Sequence, residues 1–205
     1  MSKISEVIFD IETQKLFDEI GQDDIEKLGV SIVCAYRRTV DEEGREIEGE
    51  MGSFWEKDLS GLWQWMERAD RIIGYNSVKF DVAILAPLAP YDIRKLPHFD
   101  ILDHIKAAIG YRMSLDAMAR ETLGKEKNDV GINAVIYWRE ATVESLAKLE
   151  KYCRMDVEVT RDLYDYGRKN GKLSFIDKWN VKRNIDVDFS YPKIVAPVEE
   201  QMGLF

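Results

Sequence analysis

The run Glu6-Val7-Ile8-Phe9-Asp10-Ile11 restricts the fold more than any other stretch of the chain. Successive residues of a strand point to opposite faces, yet this run is apolar and partly β-branched at neighbouring positions, so both faces need a cover. It therefore suits a central strand of a sheet with helices packed against it. It also ends in acids: Asp10 and Glu12 stand two apart and share one face of that strand.

The elements that follow support a layered domain. Residues 30–37 read as a second strand, Asp41-Glu42-Glu43-Gly44 as a turn, and residues 45–54 as a third strand, together an antiparallel meander. Leu59, Leu62, Trp63 and Met66 have helical spacing, with Asp58 or Ser60 as the cap. Residues 71–75 form a short strand delivering Asn76 to a turn, and residues 80–85 a helix that ends before Pro87. From Phe99 onward the pattern is largely helical. Ser114 opens one helix and Gly124 stops it; Thr142 or Ser145 opens a long one running to about Tyr166. This order predicts an α/β domain with a mixed central β-sheet flanked by α-helices. Residues 1–190 are the expected domain, and residues 191–205, which lose amphipathic periodicity, the expected tail.

At 205 residues and 45% apolar content, one globular domain with a substantial core is expected. The chain carries no apolar run long enough for a membrane helix and no secretory apolar region behind Met1. Cys34 and Cys153 lack the spacing of a metal knuckle or disulfide framework, so a cytoplasmic, reduced protein is expected. The net charge of −9 argues against nucleic-acid binding, unless bound cations reverse the sign locally. Arg168, Lys169, Lys172, Lys178, Lys182 and Arg183 form a locally positive segment, either a solvated helix face or a backbone-contact patch.

Three acidic fragments carry the chemistry. Phe9-Asp10-Ile11-Glu12-Thr13 offers two ligands from one strand face, Asn76-Ser77-Val78-Lys79-Phe80-Asp81 a third, and Tyr152-Cys153-Arg154-Met155-Asp156 a fourth with a phenol one helical turn away. Four carboxylates suit hard divalent cations, and two such ions about 3.5–4 Å apart serve phosphodiester hydrolysis. Each fragment alone also has an ordinary account: a surface acid pair, an N-capped helix with a solvent-facing Asp81, a tyrosine beside a surface acid. Their conjunction and order favour the metal reading.

These fragments resemble the Exo I, Exo II and Exo III motifs of the DEDD 3′–5′ exonucleases, in the tyrosine (DEDDy) subgroup. Gly74-Tyr75-Asn76-Ser77-Val78-Lys79-Phe80-Asp81 is similar to the proofreading domain of family B DNA polymerases, and Ser114-Leu115-Asp116-Ala117-Met118-Ala119 to a helix those domains carry. The resemblance spans roughly residues 5 to 167. It implies a ribonuclease-H-like fold and two divalent cations, Mg2+ or Mn2+. Asp10, Glu12 and Asp156 would hold the metal that activates the nucleophile; Asp10 would bridge to a second, where Asp81 acts through water. Tyr152 would orient the attacking water, Glu12 would contact the 3′ hydroxyl, and Thr13, Asn76 and Phe80 would bind the substrate, the 3′ end of single-stranded DNA. Tyr75, Tyr137 and Trp138 are stacking candidates, with packing the alternative for each.

The terminal Gln201-Met202-Gly203-Leu204-Phe205 resembles the peptide by which bacterial replication and repair proteins bind the β sliding clamp. There Gln201 would make a polar contact while Met202, Leu204 and Phe205 would meet the clamp, Leu204 and Phe205 filling an apolar pocket, which implies a bacterial or phage setting. The expected activity is DNA exonuclease in replication or repair. An exoribonuclease and a non-catalytic clamp or nucleic-acid adaptor are the alternatives.

Overall fold

The computed structural model describes residues 3–21, 24–125 and 132–190. At its centre lies a five-stranded sheet in the order β3-β2-β1-β4-β5. The strands are β1 (Ile4–Thr13), β2 (Val30–Val40), β3 (Glu46–Trp55), β4 (Arg71–Gly74) and β5 (His98–Asp100). β1, β2 and β3 pair antiparallel as a meander, while β4 and β5 run parallel to β1, which makes the sheet mixed as expected.

β1 is covered on both faces, which is what its continuous apolar run requires. Val7, Phe9 and Ile11 belong to one core, shared with α1 (Ser60–Glu67) and α2 (Asp81–Leu85). Ile8 belongs to the other, shared with α3 (Ile101–Ile109), α4 (Leu115–Leu123), α5 (Ile132–Glu140) and the long α6 (Val143–Asn170). The parity of β1 therefore sends Asp10 and Glu12 toward the α6 layer.

Local signals explain most boundaries. Ser114 Oγ accepts the Ala117 N–H at 3.2 Å to open α4, and Gly124 closes it at φ 68°. Thr142, of the two candidates, caps α6: its Oγ1 accepts the Ser145 N–H at 3.0 Å while Ser145 Oγ accepts the Thr142 N–H. Elsewhere the expectation needs correction. Neither Asp58 nor Ser60 caps α1, because the Ser60 hydroxyl donates to the Asp58 carboxylate instead. Pro87 does not stop the chain after α2; it lies within a short 3-10 turn, Ala86–Leu88, at whose start a missing N–H costs nothing.

The segment after α6 is no helix face. Lys172–Ile176 (β6) and Lys182–Asp186 (β7) form an antiparallel hairpin. Its Leu173 and Phe175 are buried against the α4–α6 layer, and Thr122 and Ser174 exchange two hydrogen bonds of 3.0 Å. Beyond it, Phe189 packs on Phe99 and Tyr164, and Arg71 donates to the carbonyls of Phe189 and Ser190. Beneath this lies a buried ion network in which Arg38 reaches both Glu6, at 2.8 Å, and Asp165. The clamp-like residues Gln201, Met202, Leu204 and Phe205 lie outside the described residues. Among the described residues no helix is long and apolar enough to cross a membrane.

Candidate metal centre

Strand and helix converge where β1 ends. Asp10 and Glu12 project from β1, and α6 passes over them with Tyr152 and Asp156, a turn apart and both buried. One oxygen from each of Asp10, Glu12 and Asp156 lies within 4.8 Å of the others. The contact is fixed from behind by Cys153, between the two α6 residues, whose thiol donates to the Asp10 carbonyl at 3.5 Å. Three carboxylates at that spacing repel unless a cation joins them, and hard oxygen donors match Mg2+ or Mn2+. The donor set fits such an ion.

Asp81 stands beside this triad rather than in it. β1 outruns β4: their pairing ends at Ile8 with Ile73, leaving later β1 amides on that side without a strand partner. Asp81 Oδ1 accepts one of them, the Ile11 N–H, at 3.2 Å. The carboxyl is only 3% exposed, so the solvent-facing account of this residue is wrong. Burial pushes its pKa up to about 8, and the nearby Asp100 and Asp156 push in the same direction against its backbone hydrogen bonds.

The turn that delivers Asp81 is held by a residue the motif reading missed. Asp100, buried at the end of β5, accepts the Asn76 N–H at 2.8 Å and the Val78 N–H at 3.0 Å, and also caps α3 through the Leu102 N–H. An Asp directly before Ile101-Leu102 is an N-cap signal legible in the sequence; its second task, tying down a turn 24 residues earlier, is not. Asn76 adopts φ 64°, a left-handed conformation that Asn tolerates better than most residues. Its Oδ1 accepts from Arg112 at 2.9 Å. Gly74 is required for the same turn, because a Cβ there would collide with Ser77.

Of the expected substrate residues, Thr13 closes β1 and its hydroxyl donates to the Lys15 carbonyl at 2.9 Å. Phe80 precedes Asp81 and meets Phe17 with ring centroids 5.8 Å apart. Phe17 is 64% exposed, an aromatic beside the centre that no motif announced. The stacking candidates Tyr75, Tyr137 and Trp138 pack against the core; Trp138 stacks on Trp55, and the Tyr75 hydroxyl donates to the Met113 carbonyl at 2.8 Å.

Comparison with known proteins matches residues 7–167 to the model of the RNase_H superfamily, a stretch that contains every element of the centre. The chain belongs to the RNase_H superfamily. No curated protein sequence matches it. The family B DNA polymerase from the hyperthermophilic archaeon Pyrobaculum calidifontis shares the RNase_H-like fold at TM-score 0.55 and 19% identity, over 80% of this chain and 24% of the polymerase. E. coli Exonuclease I, solved with a dT13 oligonucleotide, aligns at TM-score 0.46 and 15% identity, over 80% of this chain and 41% of that enzyme. This chain thus spans well under half of either protein.

Proposed function

We propose that this RNase_H superfamily member is a metal-dependent 3′–5′ exonuclease of the DEDDy type that shortens single-stranded DNA. The observation carrying the proposal is the carboxylate triad of Asp10, Glu12 and Asp156, with Tyr152 one turn from Asp156 and Asp81 pinned to the same strand. Asp10, Glu12 and Asp156 would hold one divalent cation, and Asp10 with Asp81, through water, a second. Bound there, such ions supply an activated water and charge stabilisation at the phosphate. The residues of the chain do the positioning. The Tyr152 phenol orients the attacking water, Glu12 takes the terminal 3′ hydroxyl, and Thr13, Asn76 and Phe80 shape the cleft for the last nucleotides.

In this reading residues 1–190 are the catalytic domain. Residues 191–205 are a recruitment tail, with Gln201, Met202, Leu204 and Phe205 engaging a β sliding clamp in DNA replication or repair. The support for the tail is its sequence pattern.

The test is a time course on 5′-labelled single-stranded DNA and matched RNA, in Mg2+ or Mn2+, with Asp10→Ala beside the wild type. The expected result is a ladder receding from the 3′ end of DNA, absent in Asp10→Ala and after chelation. Faster trimming of RNA would replace the DNA assignment. Intact substrates under every condition would overturn the enzymatic reading.

A further inference from the structure

The β6–β7 hairpin lies beyond the stretch matched to the superfamily, and its tip bears a feature the fold does not use. Trp179 is 70% exposed there, beside Val181 at 43%. The tip is rigid: Asp177 Oδ1 accepts the N–H groups of both Trp179 and Val181 at 2.9 Å, and Asp177 Oδ2 pairs with Arg183 at 2.8 Å. An ordered turn holding a large ring in water has no folding rationale, since exposing it forgoes the gain of burial.

Its surroundings favour a particular occupant. The Lys178 ammonium sits 4.5 Å from the Trp179 ring centroid, so a cation accompanies the aromatic face. Lys172, Lys178, Lys182 and Arg183 outnumber Asp177 and Asp186 in the hairpin, whereas the whole chain carries −9. An apolar protein partner would need a wider apolar patch than one ring and Val181. A flat ring flanked by cations matches a base and its phosphates. The hairpin is also linked to the centre. Phe175 meets Tyr111 at 6.2 Å between ring centroids, and the adjacent Arg112 donates to Asn76 in the turn that delivers Asp81.

We infer that Trp179 and Lys178 form an outlying binding point for single-stranded nucleic acid, holding the strand upstream of its 3′ end while that end occupies the metal centre. This rests on the proposed exonuclease activity. It makes the hairpin a length sensor: strands long enough to reach Trp179 gain affinity, and the shortest ones do not.

The experiment compares wild type, Trp179→Ala and Trp179→Phe on a labelled dT20 strand and on dT3. Stacking on one aromatic is worth about 1–3 kcal/mol, so Trp179→Ala should raise KM for dT20 about ten-fold. Its kcat should be unchanged, its kinetics on dT3 should match wild type, and Trp179→Phe should recover most of the loss. Equal losses on both substrates, or none on either, would overturn the inference. If wild type degrades neither strand, the exonuclease reading fails separately, and anisotropy of labelled dT20 decides the binding point. Ten-fold weaker binding by Trp179→Ala then sustains it, and unchanged or absent binding rejects it. A wild-type dimer that Trp179→Ala converts to monomer, with dT20 binding unaltered, would assign the tip to self-association instead.

Discussion

At the scale of single residues, the centre trades stability for chemistry. Asp10, Glu12 and Asp156 crowd their charges within 4.8 Å, so removing one relieves repulsion in the metal-free protein. Asp156→Asn is accordingly expected to raise the melting temperature in chelator, by the equivalent of about 0.5–2 kcal/mol, while abolishing the stabilisation that added Mn2+ gives the wild type. Differential scanning fluorimetry with and without Mn2+ checks both halves; a lower melting point in chelator would show that the triad is not electrostatically strained. Asp100 makes the opposite case. Its carboxylate serves the N–H groups of Asn76, Val78 and Leu102, so Asp100→Ala leaves buried donors unpaired at a cost of about 3 kcal/mol and frees the turn that aims Asp81. Urea unfolding measures the first effect. The second should appear as a fall in kcat larger than the change in KM, and an unaltered kcat would make Asp100 structural only.

Elements bring these residues together by simple devices. α6 spans both ends of the domain, carrying Tyr152 and Asp156 to the metal centre and Tyr164 to the buried network around Glu6 and Arg71. Its start rests on the Thr142–Ser145 capping box, so Thr142→Ala should cost about 1 kcal/mol in chemical denaturation. A loss below a few tenths would mean that tertiary packing alone sets the start of the helix. Near its end Gly167 gives room to Phe189, and a Cβ there would strike that ring. Gly167→Ala is thus expected to destabilise by about 1–3 kcal/mol, and limited proteolysis should detect release of the segment that follows β7.

The whole molecule registers pH through groups far from the centre. His98 is buried with Nε2 at 2.7 Å from the Ile93 carbonyl, and among the described residues its Nδ1 has no partner. Burial lowers its pKa, as it does that of His104, which stacks on Phe99. The unfolded chain takes up these protons first, near the ordinary value of about 6.5, so this stabilisation is present above that pH and is lost as pH falls toward the depressed folded values. Asp81, raised by burial, acts in the other direction, so the comparison needs a variant rather than the wild type alone. His98→Gln should narrow the difference in stability between pH 7.5 and 5.5 in the sense of losing less on acidification. An identical pH profile would remove His98 from the account.

Some of this was already written in the order of residues. The two-sided apolar run of β1 demanded a central strand, i,i+2 spacing put Asp10 and Glu12 on one face, and i,i+4 spacing did the same for Tyr152 and Asp156, because local backbone periodicity alone settles those relations. The caps at Ser114 and Thr142 were legible for the same reason. The tertiary structure decided what depends on distant partners. Asp81 is buried because β4 stops short and leaves the Ile11 amide to it; Asp100 governs a turn 24 residues away; the basic segment is a hairpin because Leu173, Ser174 and Phe175 find α4 and α6. Burial and hydrogen-bond completion are properties of the assembled layers, and periodicity along a single chain carries no record of them.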